Sequence, residues 1–391
     1  MKSKLKLLEL FGGIGACSKA LERLGIDYEI VDYIEIDKYA VKSFNAIRNT
    51  NFEPQDICTW DKDVEVDLIM HGSPCQDFSL AGKQAGGDEG SGTRSSLMYE
   101  TLRIVGKLKP KYVIWENVKN VISKKHIHNF NNYIDRMSEL GYTSYYQVLN
   151  AKDYGIPQNR ERVFTISIRN DIDKEFIFPE KQELKLKLKD MLEEDVDEKY
   201  YLSEKMVKYI SATGTANFRN PDCKINLDIA RPLTTDQNKR AGTTNYLSDD
   251  LPNNYDLLLK SKQKQLTSLI NKTNFEEGKV LNMDLYNQTT NEEISQTLTL
   301  PNHNSQRLFD GLRIRKLTPK ECWRLMGFDD ESFEKVAKVN SDTQLYKQAG
   351  NSIVVNVLEA ILTNLLLNNE ISKEKSKERQ TTIYDFIGGD E

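Results

Sequence analysis

Apolar positions in the first half of the chain recur in two alternating rhythms. Leu5 to Leu10 is a short apolar run ended by a glycine turn, and Ser18 to Leu24 then spaces its apolar residues as an amphipathic helix does. Tyr28 to Ile36 and Val66 to Met70 read as further strands. Ser96 to Leu108 returns to helical spacing through Leu97, Leu102, Ile104, Val105 and Leu108, and Tyr112-Val113-Ile114-Trp115 reads as a buried strand. A helix over Phe130 to Leu140 and strands over Tyr145 to Leu149 and Val163 to Ile168 complete the series. Such alternation predicts an α/β fold, a doubly wound and mostly parallel sheet that binds ligands at the carboxyl ends of its strands.

After about Pro179 the rhythm fails. The segment from Lys181 to about Arg307 is rich in Lys, Asn, Thr and Asp, with loop signals at 217–221, 234–242 and 251–254 and a Lys/Gln-rich helical piece near 256–272. Thr318-Pro319-Lys320-Glu321 starts a helix, Thr318 as N-cap and Pro319 in the first turn. Apolar helical spacing returns over Ile353 to Leu367, and Asn351 or Ser352 is placed to cap it. The expected organisation is a catalytic domain over 1–180, a smaller loop-rich domain over 181–310, a return segment over 311–368 and a charged, mobile tail over 369–391.

Composition narrows the function classes. At 391 residues, 38% hydrophobic and 29% charged, the chain has the make-up of a soluble globular protein, with no apolar stretch long enough to cross a bilayer and no signal peptide. Five cysteines (17, 58, 75, 223, 322) form no CxxC pair and only four His are present, which points to a reducing cytoplasm and away from a bound metal. The net charge of −5 does not announce a nucleic-acid binder, but Arg313, Arg315, Lys316, Lys320 and Arg324 cluster as a local footprint would.

Several residues are candidates for chemistry. Cys75, in Gly72-Ser73-Pro74-Cys75, follows a strand in a loop stiffened by proline, a position that suits a reactive thiolate. Phe11-Gly12-Gly13-Ile14-Gly15 joins a strand to a helix, where glycines let backbone N–H groups approach a ligand, though it would equally serve as a plain tight turn. Glu35 ends the second strand, where a carboxylate holds ribose hydroxyls, and Asp56 could accept from an adenine amino group. Glu116, beside an indole at a strand end, is expected to be desolvated and easily protonated. Arg160 and Arg162 alternate into a strand and point to one face. His71 is better read as packing than as a partner of Cys75.

In order along the chain, FGGIG, GSPCQDFS, ENV, QNRERV, RKLTPKECWRLMGF and QAGNSIVV resemble the DNA (cytosine-5)-methyltransferase family, of the bacterial and phage restriction-modification type. The likeness covers about 5–169 and 311–366, and the gap falls where that family holds its target-recognition domain. It implies a Rossmann-like fold that uses S-adenosylmethionine and no metal. It implies Cys75 as nucleophile toward C6 of a flipped-out cytosine, Glu116 on the Watson–Crick edge donating to N3, Arg162 bracing the cytosine carbonyl, and Arg160 in support. The cofactor would lie over Phe11, Gly13 and Gly15, with Glu35 on the ribose, Asp56 and Ile57 at adenine, and Pro74, Asn351, Ser352 and Val354 completing the pocket. Ile36 departs from the Trp often found there.

The implied partners are duplex DNA and, unless the enzyme is an orphan, a restriction endonuclease sharing the site. The implied setting is a monomer at the nucleoid of a bacterial cytoplasm, host- or phage-encoded. Two rivals stand beside this reading: a tRNA cytosine-5 methyltransferase, and a catalytically silent DNA-binding protein. Phe78-Ser79 and the long recognition segment favour DNA over tRNA, and intact Cys75, Glu116 and Arg162 favour an enzyme. In the tail, Gln380 to Phe386 resembles a sliding-clamp ligand.

Overall fold

A computed structural model describes residues 4–74, 94–203, 224–225, 227–233, 246–248, 255–256, 282–284, 289–291 and 314–367. Its centre is a six-stranded sheet of β1 (Leu5–Leu10), β2 (Tyr28–Ile34), β3 (Leu68–His71), β4 (Tyr112–Val118), β5 (Tyr142–Asn150) and β6 (Glu161–Arg169). The order is β2-β1-β3-β4-β6-β5. The first four strands are parallel, and β6 runs antiparallel to both β4 and β5.

Alternation along the strands divides the core into two layers. Leu7, Met70, Ile114 and Phe164 belong to one, with Ala20 and Leu21 of α1 (Ala16–Arg23). Leu8, Ile69, Val113 and Val163 belong to the other, with residues of α3 (Met98–Leu108) and α4 (Ile127–Glu139). Helices on both faces make the sheet doubly wound, as the sequence pattern predicts. Between β2 and β3 lies α2 (Lys38–Arg48), which that pattern leaves unassigned. Its Phe44 packs on Tyr33 with ring centroids 3.8 Å apart, in a small cluster outside the two main layers.

Among the described residues, the return segment carries four α-helices. In α5 (Pro319–Arg324), Thr318 accepts from the Glu321 N–H while the Glu321 carboxylate accepts from the Thr318 N–H, the capping box expected of this motif. Helix α6 (Asp330–Ala337), α7 (Asp342–Asn351) and α8 (Val355–Leu362) follow, and Leu358 and Ile361 of α8 join the α1 layer. Asn351 therefore ends α7 instead of capping the last helix, and Val354 takes the cap position. The helix runs on to Asn351, with the Ser352 N–H donating to the Gln348 and Ala349 carbonyls and Arg160 to that of Gly350. By length and composition Asp342–Leu367 could cross a bilayer, but the helix breaks at 352–354 and Val355, Leu358, Ile361 and Leu362 are buried in the core.

The supposed basic footprint is also corrected. Arg315 is buried against both Glu321 oxygens at 2.9 Å, Arg324 chelates Asp330, and Lys320 reaches Asp330 and Glu334, so these cations are spent on holding the return segment together. Arg313 lies outside the described residues. In the region expected to form a second domain, short strands at Lys224–Ile225, Tyr246–Ser248 and Tyr255–Asp256 share a sheet with Ile314–Lys316, and Asn282–Asp284 pairs with Thr289–Asn291. Beyond Asp256, the helical piece expected near 256–272 lies outside the described residues, as do the tail and Gln380 to Phe386.

Candidate active site

The carboxyl ends of β3, β4 and the start of β6 converge. Strand β4 runs on to Val118, past the expected end at Trp115, because β6 pairs with it throughout, Glu116 opposite Phe164 and Val118 opposite Arg162. Glu116 and Arg162 are thus diagonal neighbours on one face of the ladder. Arg162 Nε lies 3.1 Å from Oε1 of Glu116. Burial pushes the Glu116 carboxyl above its ordinary range, against the opposing pull of the Arg162 and Arg160 charges.

The Gly72–Pro74 stretch that leads to Cys75 lies beside this pair. Trp115 Nε1 donates to Ser73 Oγ at 3.0 Å and Asn117 Nδ2 to the Ser73 carbonyl at 3.4 Å, so two residues of β4 fix the chain after β3. A Cβ on Gly72 would stand 3.5 Å from Ile353 and 3.7 Å from Oε2 of Glu116. Pro74 is half-buried next in line, and Cys75 itself lies outside the described residues. His71 is fully buried, 2.9 Å from the Tyr133 hydroxyl, and burial pushes its pKa down to about 3. It is a packed neutral ring, as the sequence suggests.

Arg160 is buried and acts as a brace. Its Nη1 donates to the Leu233 carbonyl at 2.9 Å, and Nη2 to those of Gly350 and Ser352 at 3.0 and 2.8 Å. The end of α7 is thereby tied to the base of β6.

The glycine turn after β1 adopts left-handed backbone at Phe11 (φ 53°), Gly13 (54°) and Gly15 (77°). Glycine is required at Gly15, where a Cβ would meet Phe44 at 2.7 Å. Tyr33 Oη donates to the Gly13 carbonyl at 2.5 Å, while Oε2 of Glu35 accepts from the Gly13 N–H at 3.1 Å and Oε1 from the Asp37 N–H at 2.8 Å. Burial raises the Glu35 pKa. No described atom stands within 4 Å of a Cβ built on Gly13, so the turn faces open space. Ile36, next to Glu35, is 70% exposed. Asp56 is exposed with Oδ1 on the Cys58 N–H at 2.9 Å, and Ile57 is buried. At the far end Asn351 is exposed, while Ser352 and Val354 are buried. An open glycine turn, a strand-end carboxylate and an exposed apolar side chain fit a nucleoside-bearing cofactor.

Sequence reasoning missed the residues that hold this pocket. Asp32 accepts from Gln55 Nε2 at 2.9 Å and from Trp60 Nε1 and Lys62 Nζ at 2.7 Å, gripping both ends of the turn that carries Asp56 and Ile57. Arg103 of α3 donates to the Ile57 and Trp60 carbonyls at 2.9 Å. Lys347 of α7 pairs with Asp37 at 2.7 Å. A signal existed only for Asp32, a carboxylate inside an apolar strand.

Residues 5–366 match the profile of C-5 cytosine-specific DNA methylases. The chain is 35% identical to the type II methyltransferase M2.ScrFI of Lactococcus lactis subsp. cremoris over 416 residues, covering 92% of this chain and 99% of that protein. It is 34% identical to the orphan methyltransferase M.SPRI of Bacillus phage SPR over 440 residues, covering 95% and 99%. The fold resembles a mutant of Spodoptera frugiperda DNMT2 (TM-score 0.67, 23% identity, 93% of this chain and 99% of that one). It also resembles the Entamoeba histolytica methyltransferase EhMeth (TM-score 0.65, 16% identity, 93% and 98%).

Proposed function

Because the chain belongs to the family of C-5 cytosine-specific DNA methylases, we propose that it methylates C5 of a cytosine flipped out of a short duplex DNA site, through a Cys75–C6 adduct. The observation that carries this reading is Glu116, buried, paired with Arg162 and raised in pKa beside the residues that lead to Cys75.

A cytosine ring in this pocket is activated for attack at C6 when N3 gains a proton, and a protonated Glu116 supplies one. Arg162 braces the cytosine carbonyl, and Arg160 keeps the β6 start in place through three carbonyls. Addition of the Cys75 thiolate to C6 makes C5 nucleophilic; after methyl transfer, loss of the C5 proton expels the thiol. S-adenosylmethionine, when bound, supplies the methyl group on a sulfonium. Phe11, Gly13, Gly15, Glu35, Asp56, Ile57, Pro74, Asn351, Ser352 and Val354 would hold it, Glu35 taking the ribose hydroxyls.

Residues 181–310 act as the target-recognition domain and read the major groove. The chain works in the bacterial cytoplasm at the nucleoid, either beside an endonuclease of the same specificity or as an orphan, and its relatives include both kinds. The tail binds a sliding clamp weakly through Ile383 and Phe386. Clamp pull-down that is unchanged when both become Ala removes that part.

The test is conversion sequencing of DNA from a methylation-free host expressing the protein, beside a Cys75→Ala control. Methylcytosine confined to one short motif and absent from the control is expected. Unmethylated DNA from soluble protein overturns the reading and directs the assay to tRNA.

A further inference from the structure

Gln158 is wholly buried at the joint of three chain segments far apart in sequence. Its Oε1 accepts from the Leu233 N–H at 3.1 Å, and its Nε2 donates to the Leu325 carbonyl at 2.8 Å. The backbone on either side is stitched to the same strip: Ala230 N–H donates to the Pro157 carbonyl at 2.7 Å, and Asn159 N–H to the Ala230 carbonyl at 2.9 Å. Two residues along, Arg160 Nη1 donates to the Leu233 carbonyl at 2.9 Å. Leu233 is therefore held at both its N–H and its C=O, by the first and third residues of the Gln158-Asn159-Arg160 run.

We infer that Gln158 is a positioning residue for DNA selectivity: it fixes the register of Ala230–Leu233 against the pocket of Glu116 and Arg162. This rests on the methyltransferase reading above. Proline chemistry blocks a slip in one direction, which would bring Pro232 opposite Oε1 with no N–H to give. The grip needs an acceptor and a donor on one short planar group, since Oε1 faces a backbone N–H and Nε2 a backbone C=O. Glutamine offers both without a buried charge. On the far side the Leu325 carbonyl belongs to the end of α5, and the adjoining Met326 carbonyl accepts from Val355 N–H at 3.0 Å at the head of α8. Gln158 thus ties a segment of the DNA-reading region to the return helices at Leu325, beside the backbone bonds to Ala230 and the Arg160 bonds to Leu233, Gly350 and Ser352. Glu116 titrates and Arg162 braces, whereas Gln158 touches neither base nor cofactor and acts through Leu233.

The test uses the full-length protein, S-adenosylmethionine, a duplex carrying the site found by conversion sequencing, and duplexes with one base pair of that site changed. Gln158→Met keeps length and volume and removes both hydrogen-bonding functions. It should raise KM for the cognate duplex and lower the ratio of kcat/KM between cognate and altered duplexes, each by about tenfold, with KM for S-adenosylmethionine within about twofold. Gln158→Glu offers the same acceptor and donor while protonated, so its selectivity should match wild type at low pH and fall as the buried carboxyl ionises. An unchanged ratio in Gln158→Met, or equal loss toward DNA and cofactor, overturns the inference. If Gln158→Met does not fold, a pH-independent ratio in Gln158→Glu overturns it instead. Wild-type protein that methylates no DNA overturns the parent reading and this one with it, whereas methylation with a selectivity indifferent to Gln158 overturns this one alone.

Discussion

Arg162 Nε and Glu116 Oε1 lie 3.1 Å apart on antiparallel strands, two residues out of direct register. Burial favours the neutral acid and the two arginines favour the anion, and burial wins, so Glu116 holds its proton further up the pH scale than an ordinary carboxyl. Since the proposed chemistry needs the protonated form, kcat/KM should fall as pH rises through this pKa. Glu116→Gln can still hydrogen-bond N3 but has no proton to transfer, and it should lose roughly 10²–10⁴ in kcat with duplex binding retained. Arg162→Ala removes a cation and should carry the surviving pH limb upward. Single-turnover methylation from pH 5 to 9 measures both, and a limb that stays in Glu116→Gln would assign it elsewhere.

Ile36 stands beside Glu35 with 70% of its surface exposed, on the side of the glycine turn where the cofactor is proposed to lie. A Trp there would offer a wider face to an adenine ring. Ile36→Trp should tighten binding of S-adenosylhomocysteine by roughly tenfold, given ~1–3 kcal/mol for a base stacked on an aromatic ring. Calorimetric titration of both proteins decides this; equal affinities would move the adenine off Ile36.

Much of this arrangement was legible because it is local. The strand Leu5–Leu10 has the bounds its apolar run suggests, and Thr318 caps α5 as its side chain and Pro319 require. What failed depended on partners distant in sequence. Strand β4 reaches Val118 only because β6 supplies its other edge, and the antiparallel sense of β6 is invisible in its own residues. Helix α2 hides because it covers Tyr33, not the main core, and needs few apolar positions. Arg315 and Arg324 look like a DNA footprint until Glu321 and Asp330 are seen beside them.

That buried pair makes a prediction about stability. Glu321 is fully buried and accepts from both Nη atoms of Arg315, from the Thr318 N–H at 2.7 Å and from the Glu193 N–H at 3.0 Å. Glu321→Ala would leave a buried guanidinium and two backbone donors without their acceptor. It should destabilise the fold by about 3–5 kcal/mol, as loss of one member of a buried ion pair does. Exposed pairs such as Lys335 with Glu331, screened by solvent, should matter little. Urea unfolding of Glu321→Ala and Glu331→Ala compares them, and similar losses would show that burial does not set the strength here.

His71 gives a pH dependence of folding with a definite sign. In the folded protein its pKa is pushed down to about 3 by burial, while an unfolded histidine titrates near the ordinary 6.5. Between those values the unfolded chain binds a proton that the folded one refuses, so stability falls as pH drops through this window. From pH 6.5 to 5 the group alone should remove about 1.6 kcal/mol. His71→Gln keeps a polar partner for the Tyr133 hydroxyl and has nothing to titrate, so its unfolding free energy should decline less over the same range. Above pH 7 the two proteins should share one slope. Parallel urea unfolding curves at pH 7.5, 6.5 and 5 provide the comparison, and identical acid slopes would mean that His71 gains access to water before the fold opens. Because the ring stays neutral across the working range, it should contribute no limb to the activity profile.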